Sequence, residues 1–163
     1  MSVLVNIAGS YPRPGKVIRR LLAGGVREDR AFAVLMAGCA IVFVSHWPKL
    51  ARDAHLNGTP LNPALGGALM AWLIIMPLVF YLLGFLAWAL MRGLGGKPSL
   101  FGARLALFWA LLASAPLLLA HGLAAGYVGA GAVQTGLAAL WLAAFIWIWI
   151  AGSVAAGWGQ DDT

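Results

Sequence analysis

The sequence predicts an all-α fold: a polytopic bundle of four transmembrane helices, both termini cytoplasmic, with a short amphipathic helix ahead of the first span. Three observations predict it. Of 163 residues, 62% are hydrophobic and only 10% charged, whereas soluble domains carry about 25% charged residues. The mean hydropathy is +0.88, and uncharged runs recur at roughly the 20 residues needed to cross about 30 Å of hydrocarbon. Finally, basic residues crowd one side of those runs and are sparse on the other.

Taken in order, Met1 to Tyr11 has no clear pattern and is left unassigned. From Pro14 to Gly24, Val17, Leu21 and Leu22 recur at helical spacing between Lys16, Arg19 and Arg20, with proline at the start and Gly24-Gly25 at the end. That pattern predicts a helix lying on the membrane surface, its basic residues facing anionic lipid headgroups. A basic flank that only orients the first span is the alternative. Residues 1–30 thus form a cytoplasmic segment, and their six arginines and lysines leave no apolar run for a cleavable leader.

The first span covers 31–47, with Asp29 placed to cap its start. Pro48 to Pro63 reads as the one sizeable polar loop, ending near the turn signal Asn57-Gly58. The second span, 64–91, exceeds what a bilayer needs, which predicts tilt or a bend near Pro77; two half-spans are the other possibility. Gly93-Leu94-Gly95-Gly96-Lys97 is a tight interhelical turn, since no strand and no correctly spaced glycine precede it as a phosphate-binding loop requires. The third span, 101–120, contains Pro116 and begins close to Arg104, whose guanidinium is expected to snorkel into the headgroups. A glycine-rich uncharged connection, 121–136, leads to the fourth span, 137–158, and a tail at 159–163. Together 31–158 form the bundle.

Positive charge fixes the expected orientation. Arg13, Lys16, Arg19, Arg20, Arg27, Arg30, Arg92, Lys97 and Arg104 fall on the N-terminal side, and only Lys49 and Arg52 on the other. The positive-inside rule therefore places the N-terminal side in the cytoplasm. A net charge of +6 is accounted for by this topology and anionic lipid, with no basic stripe implying nucleic acid. The lone Cys39 excludes an intrachain disulfide.

Candidate sites are few. No span contains Asp or Glu, which argues against an ion-coupled transporter and leaves a transporter or channel a minor alternative. His46 and His121 end spans on the same face as His55 and could ligate haem or a metal, although interfacial histidines are common. Trp141, Phe145, Trp147 and Trp149 put a large aromatic surface in the fourth span, suited to packing against a partner or to a pigment, quinone or lipid pocket. Gly122 and Gly126 form a G-x-x-x-G, a close-approach motif.

The run Pro12-Arg13-Pro14-Gly15-Lys16-Val17-Ile18-Arg19-Arg20-Leu21-Leu22, the span after it, and Leu94-Gly95-Gly96-Lys97-Pro98-Ser99-Leu100-Phe101 leading into Ala103 to Trp109 resemble the bacterial Yip1-domain (YIP1) family of small integral membrane proteins. The resemblance covers nearly the whole chain. It implies a non-enzymatic multi-pass protein of the bacterial cytoplasmic (inner) membrane, in a family whose members usually have about five spans and whose eukaryotic relatives are associated with vesicle trafficking. It supplies no catalytic residue. The expectation is a scaffold or accessory subunit that packs against other integral membrane proteins, itself or lipid, without a required cofactor. The alternative is a binder of haem, metal or quinone through His46 and His121.

Overall fold

The computed structural model describes residues 3–158 and is helical throughout, with no strand among them. Eight segments follow in order: α1 (Val3–Ser10), α2 (Pro14–Leu22), α3 (Glu28–Asn57), α4 (Leu61–Met70), a π-helical turn (Ala71–Ile75), α5 (Met76–Gly93), α6 (Leu100–Tyr127) and α7 (Ala132–Gly157). Four continuous helices are long and apolar enough to cross a membrane: Glu28–Asn57, Leu61–Gly93, Leu100–Tyr127 and Ala132–Gly157. The second is one helix rather than two. Its i→i+5 turn falls just before Pro77, which has no N–H to offer the preceding turn, and Met76 N bonds back to Ala71 O.

The helices outrun the expected spans, which shortens two loops. Residues 48–57, expected in a polar loop, continue α3: Pro48 is accommodated inside it, Lys49 and Asp53 pair at i,i+4, and Gly58 in the left-handed region (φ 62°) ends it. Residues 121–127, expected in a glycine-rich connection, complete α6, which Ser99 caps by accepting from Gly102 N at 2.9 Å. Arg52 closes the far end of α6, donating to the Gly126 and Tyr127 carbonyls at 3.1 and 3.2 Å. Such terminal carbonyls have no partner inside their own helix.

The sixth helix is the axis of the molecule, with α3 and α7 against opposite sides and α5 on a third. Phe108, Trp109, Leu105 and Leu111 are enclosed by these neighbours. Helices α3 and α6 run parallel: Arg104 ion-pairs with Glu28, Gly38 lies against Leu111, and Gly122 and Gly126 lie against Ser45 and Pro48. A Cβ on Gly122 would overlap the Ser45 carbonyl, and one on Gly126 would overlap Pro48. The G-x-x-x-G is therefore used within the chain, where it lets two backbones touch at a proline site.

The N-terminal helices fold back as a hairpin. Residues 1–11, unassigned from sequence, include α1, and its Ser10 hydroxyl accepts from buried Trp109 Nε1 at 2.8 Å while donating to Asn6 O at 2.7 Å. Tyr11 OH donates to Ala113 O at 3.1 Å, and Trp147 Nε1 donates to Tyr11 O at 3.2 Å. Burial pushes the Tyr11 phenol pKa up, which keeps it a donor. The helix α2 forms where expected, but its apolar residues face the bundle: Ile18 fills the space beside Gly152 and Ala106, and Leu22 lies beside Gly102. Its axis accordingly runs along α6 and α7 rather than across their ends.

A lateral cavity closed by two histidines

Between α5 and α7, with α6 as its floor, lies a cavity of about 700 Å³. Met76, Phe80, Leu83, Leu86, Ala87 and Leu90 form one wall, Ala138, Trp141, Phe145 and Trp149 the other. The floor carries Leu107, Leu111, Leu118 and His121, and α3 adds Val42 and His46. Leu107 to His121 covers about 21 Å of helix axis at about 1.5 Å per residue, so the space is long as well as wide. Its lining is apolar except at one end.

That end is set by the α3–α6 crossing. Because Gly122 touches the Ser45 backbone, the adjacent residues His121 and His46 are brought to one level. Val42 O accepts from His46 Nδ1 at 2.8 Å and Gln134 O accepts from His121 Nδ1 at 3.1 Å. A carbonyl can only accept, so each Nδ1 carries a proton, and in the neutral ring that leaves the Nε2 lone pair for a ligand donor or a metal. Trp72 packs on His46 with ring centroids 5.4 Å apart. Among the described residues no group of three or more His, Cys, Asp or Glu could hold a metal ion, so a metal or haem would rest on these two imidazoles. His55 is exposed near the end of α3 and does not join them.

The aromatic residues of α7 divide between two faces. Trp141, Phe145 and Trp149 form a ladder with centroids 5.9 and 6.1 Å apart along the cavity wall. The indole N–H groups of Trp141 and Trp149 are buried without a hydrogen-bond partner. Trp147 instead points outward, half-exposed, and tethers the hairpin through Tyr11.

The basic candidates also separate. Lys16, Arg19 and Arg20 are exposed on α2, with Arg20 donating to Asn6 Oδ1 at 3.4 Å. Arg104 has a side chain that is 17% exposed, pairs with Glu28 and lies over Tyr81 at 5.4 Å. Gly84 makes room for its stem. Sequence reasoning overlooked Trp72 and the leucines of α5 as cavity residues. The available signal was Pro77, whose missing donor favours the local π-turn that carries Trp72.

No family model matches the chain, and neither does any curated protein or solved structure.

Proposed function

We propose that the chain is a non-enzymatic multi-pass membrane protein that holds a lipid-soluble ligand in its lateral cavity. The observation carrying this reading is the polarity of the cavity: about 700 Å³ of apolar space ending at His46 and His121, both with Nδ1 engaged. The ligand that fits has one compact hydrogen-bonding head and a long apolar body, the prenylated quinone class being the best match. Two imidazole acceptors suit a hydroxyl-bearing reduced head, and the Trp141–Phe145–Trp149 ladder suits a flat or chain-like body.

Full-length protein in lipid discs tests this with a short-chain hydroquinone as probe. Saturable quenching of tryptophan fluorescence is expected, weakened about fivefold by His121→Ala or His46→Ala if each contributes a hydrogen bond of about 1 kcal/mol. Linear, non-saturating quenching would sink the reading.

The scaffold or accessory-subunit reading, motivated by the carboxylate-free spans and the aromatic fourth span, has its own support. Leu78, Leu82, Ile146 and Ile150 are exposed on the helices flanking the cavity, and side chains of a partner helix could fill it. Recovery of one stoichiometric membrane partner after gentle extraction, with an unresponsive cavity, would favour this second reading.

A further inference from the structure

The hairpin of α1 and α2 reaches much farther along the bundle than a surface helix would. Leu22 stands beside Gly102, Ile18 beside Ala106, and Tyr11 bonds Ala113. From Arg104, where the pair with Glu28 marks the charged end of the α3–α6 contact, to Ala113 is about 14 Å of helix axis. That is close to half of the roughly 30 Å hydrocarbon thickness. Yet Arg13, Lys16 and Arg19 are exposed on this hairpin, and no acidic residue occurs in the sequence before Glu28. Arg13, two residues from Tyr11, is the deepest of these cations, with Lys16 and Arg19 stepping back toward the level of Arg104; a charge at the depth of Arg13 cannot be left to lipid tails, because an unsolvated charge there costs at least about 2.5 kcal/mol.

We infer that the hairpin is a phosphate-binding wedge: Arg13, Lys16 and Arg19 draw anionic phospholipid headgroups and water down the flank of α6 and α7, thinning one leaflet locally. The occupant is the headgroup of an anionic lipid, selected by charge complementarity with the exposed Arg13, Lys16 and Arg19. The apolar side of the hairpin, Val17 and Ile18, is already committed to the bundle, so the cations have only the outward direction. Trp109–Ser10, Tyr11–Ala113 and Trp147–Tyr11 hydrogen bonds fix the tip at this depth.

Two measurements on the full chain test the inference. In the first, a nitroxide is placed at Arg13→Cys or Arg27→Cys in a Cys39→Ser background, and depth is read from oxygen and nickel-chelate accessibility in lipid discs. Position 13 is expected to sit deeper along the bundle than 27 yet remain open to the nickel reagent. Equal depths for the two labels, or a deep label sealed from the reagent, overturn the wedge. The second counts phosphatidylglycerol retained over phosphatidylcholine by native mass spectrometry. The triple variant R13Q/K16Q/R19Q is expected to lose selectivity on the order of a hundredfold, at about 1 kcal/mol per basic residue, while Lys49→Gln keeps it. Unchanged selectivity in the triple variant overturns the proposal, as does loss of a bound protein partner from native membranes without any change in lipid.

Discussion

Helices α6 and α7 are close to interchangeable by composition. The helices are 28 and 26 residues long and their most apolar 18-residue stretches have mean hydropathies of 1.8 and 2.1, yet 72% of one stretch is buried inside the protein and 11% of the other. Hydropathy reports that a helix can leave water; it does not report whether protein or lipid receives it. The difference lies in shape. Helix α6 brings Gly102, Gly122 and Gly126 against neighbouring side chains or backbone and encloses Phe108 and Trp109, so partners can approach from several directions. Helix α7 meets its neighbours along a narrower stripe at Ile148, Gly152 and Ala155–Gly157, and leaves Leu140, Ile146, Ile150 and Val154 outside.

This contrast can be broken most sharply with glycine. Gly122→Ala on α6 drives a methyl into the Ser45 carbonyl, and overpacking against backbone is expected to cost about 3 kcal/mol. Gly136→Ala on α7 meets open space and is expected to be neutral or to stabilise by up to about 1 kcal/mol. Reversible unfolding in mild detergent compares the two; equal effects would mean that α6 is not the central helix.

A smaller effect is expected where the hairpin meets α6. Ser10→Ala strands the buried Trp109 N–H, at a cost of about 1–2 kcal/mol, and Trp109 fluorescence in an otherwise tryptophan-reduced chain would report the change in its surroundings. On α7, Trp147→Phe removes only a bond from an exposed indole to the Tyr11 carbonyl. Its expected cost is below about 1 kcal/mol, readable as increased proteolysis near Pro12. Glu28→Gln should also be mild, about 1 kcal/mol or less, because Glu28 is 48% exposed and solvent screens its pair with Arg104. A salt titration of the wild-type unfolding midpoint checks the same interaction.

How much of this was legible follows from the particular residues. The four apolar helices were readable because uncharged length is unmistakable, and the Asn57-Gly58 signal marks the end of α3. Their extents were not, because Lys49, Arg52 and Asp53 look like loop residues until one pairs at i,i+4 and another caps α6. The close-approach role of Gly122 and Gly126 was visible in their spacing, but nothing in that spacing names Ser45 and Pro48 as the surfaces approached. Likewise His46 and His121 could be singled out as candidates. Their convergence depends on the parallel register of α3 and α6, which is a property of two distant segments. The hairpin was half-legible: α2 has a clear helical pattern, whereas α1 offers only a short apolar run interrupted by Asn6 before its anchoring serine.

The π-turn at Ala71–Ile75 has a consequence for how the cavity wall is aimed. One residue more than an α-helical turn needs is taken up there, and each residue of an α-helix turns the chain by about 100°. Straightening 71–75 into regular α-helix with every residue kept would therefore swing the segment Leu61–Met70 about the axis of Met76–Gly93 by roughly that angle, whereas deleting one residue there would leave the two faces aligned. The Leu83, Leu86 and Leu90 surface could stay where it is, while the face that continues it toward Thr59 would be turned elsewhere. The extra residue acts as a fixed rotational offset, joining two helical faces that a straight helix could not point in their present directions at once.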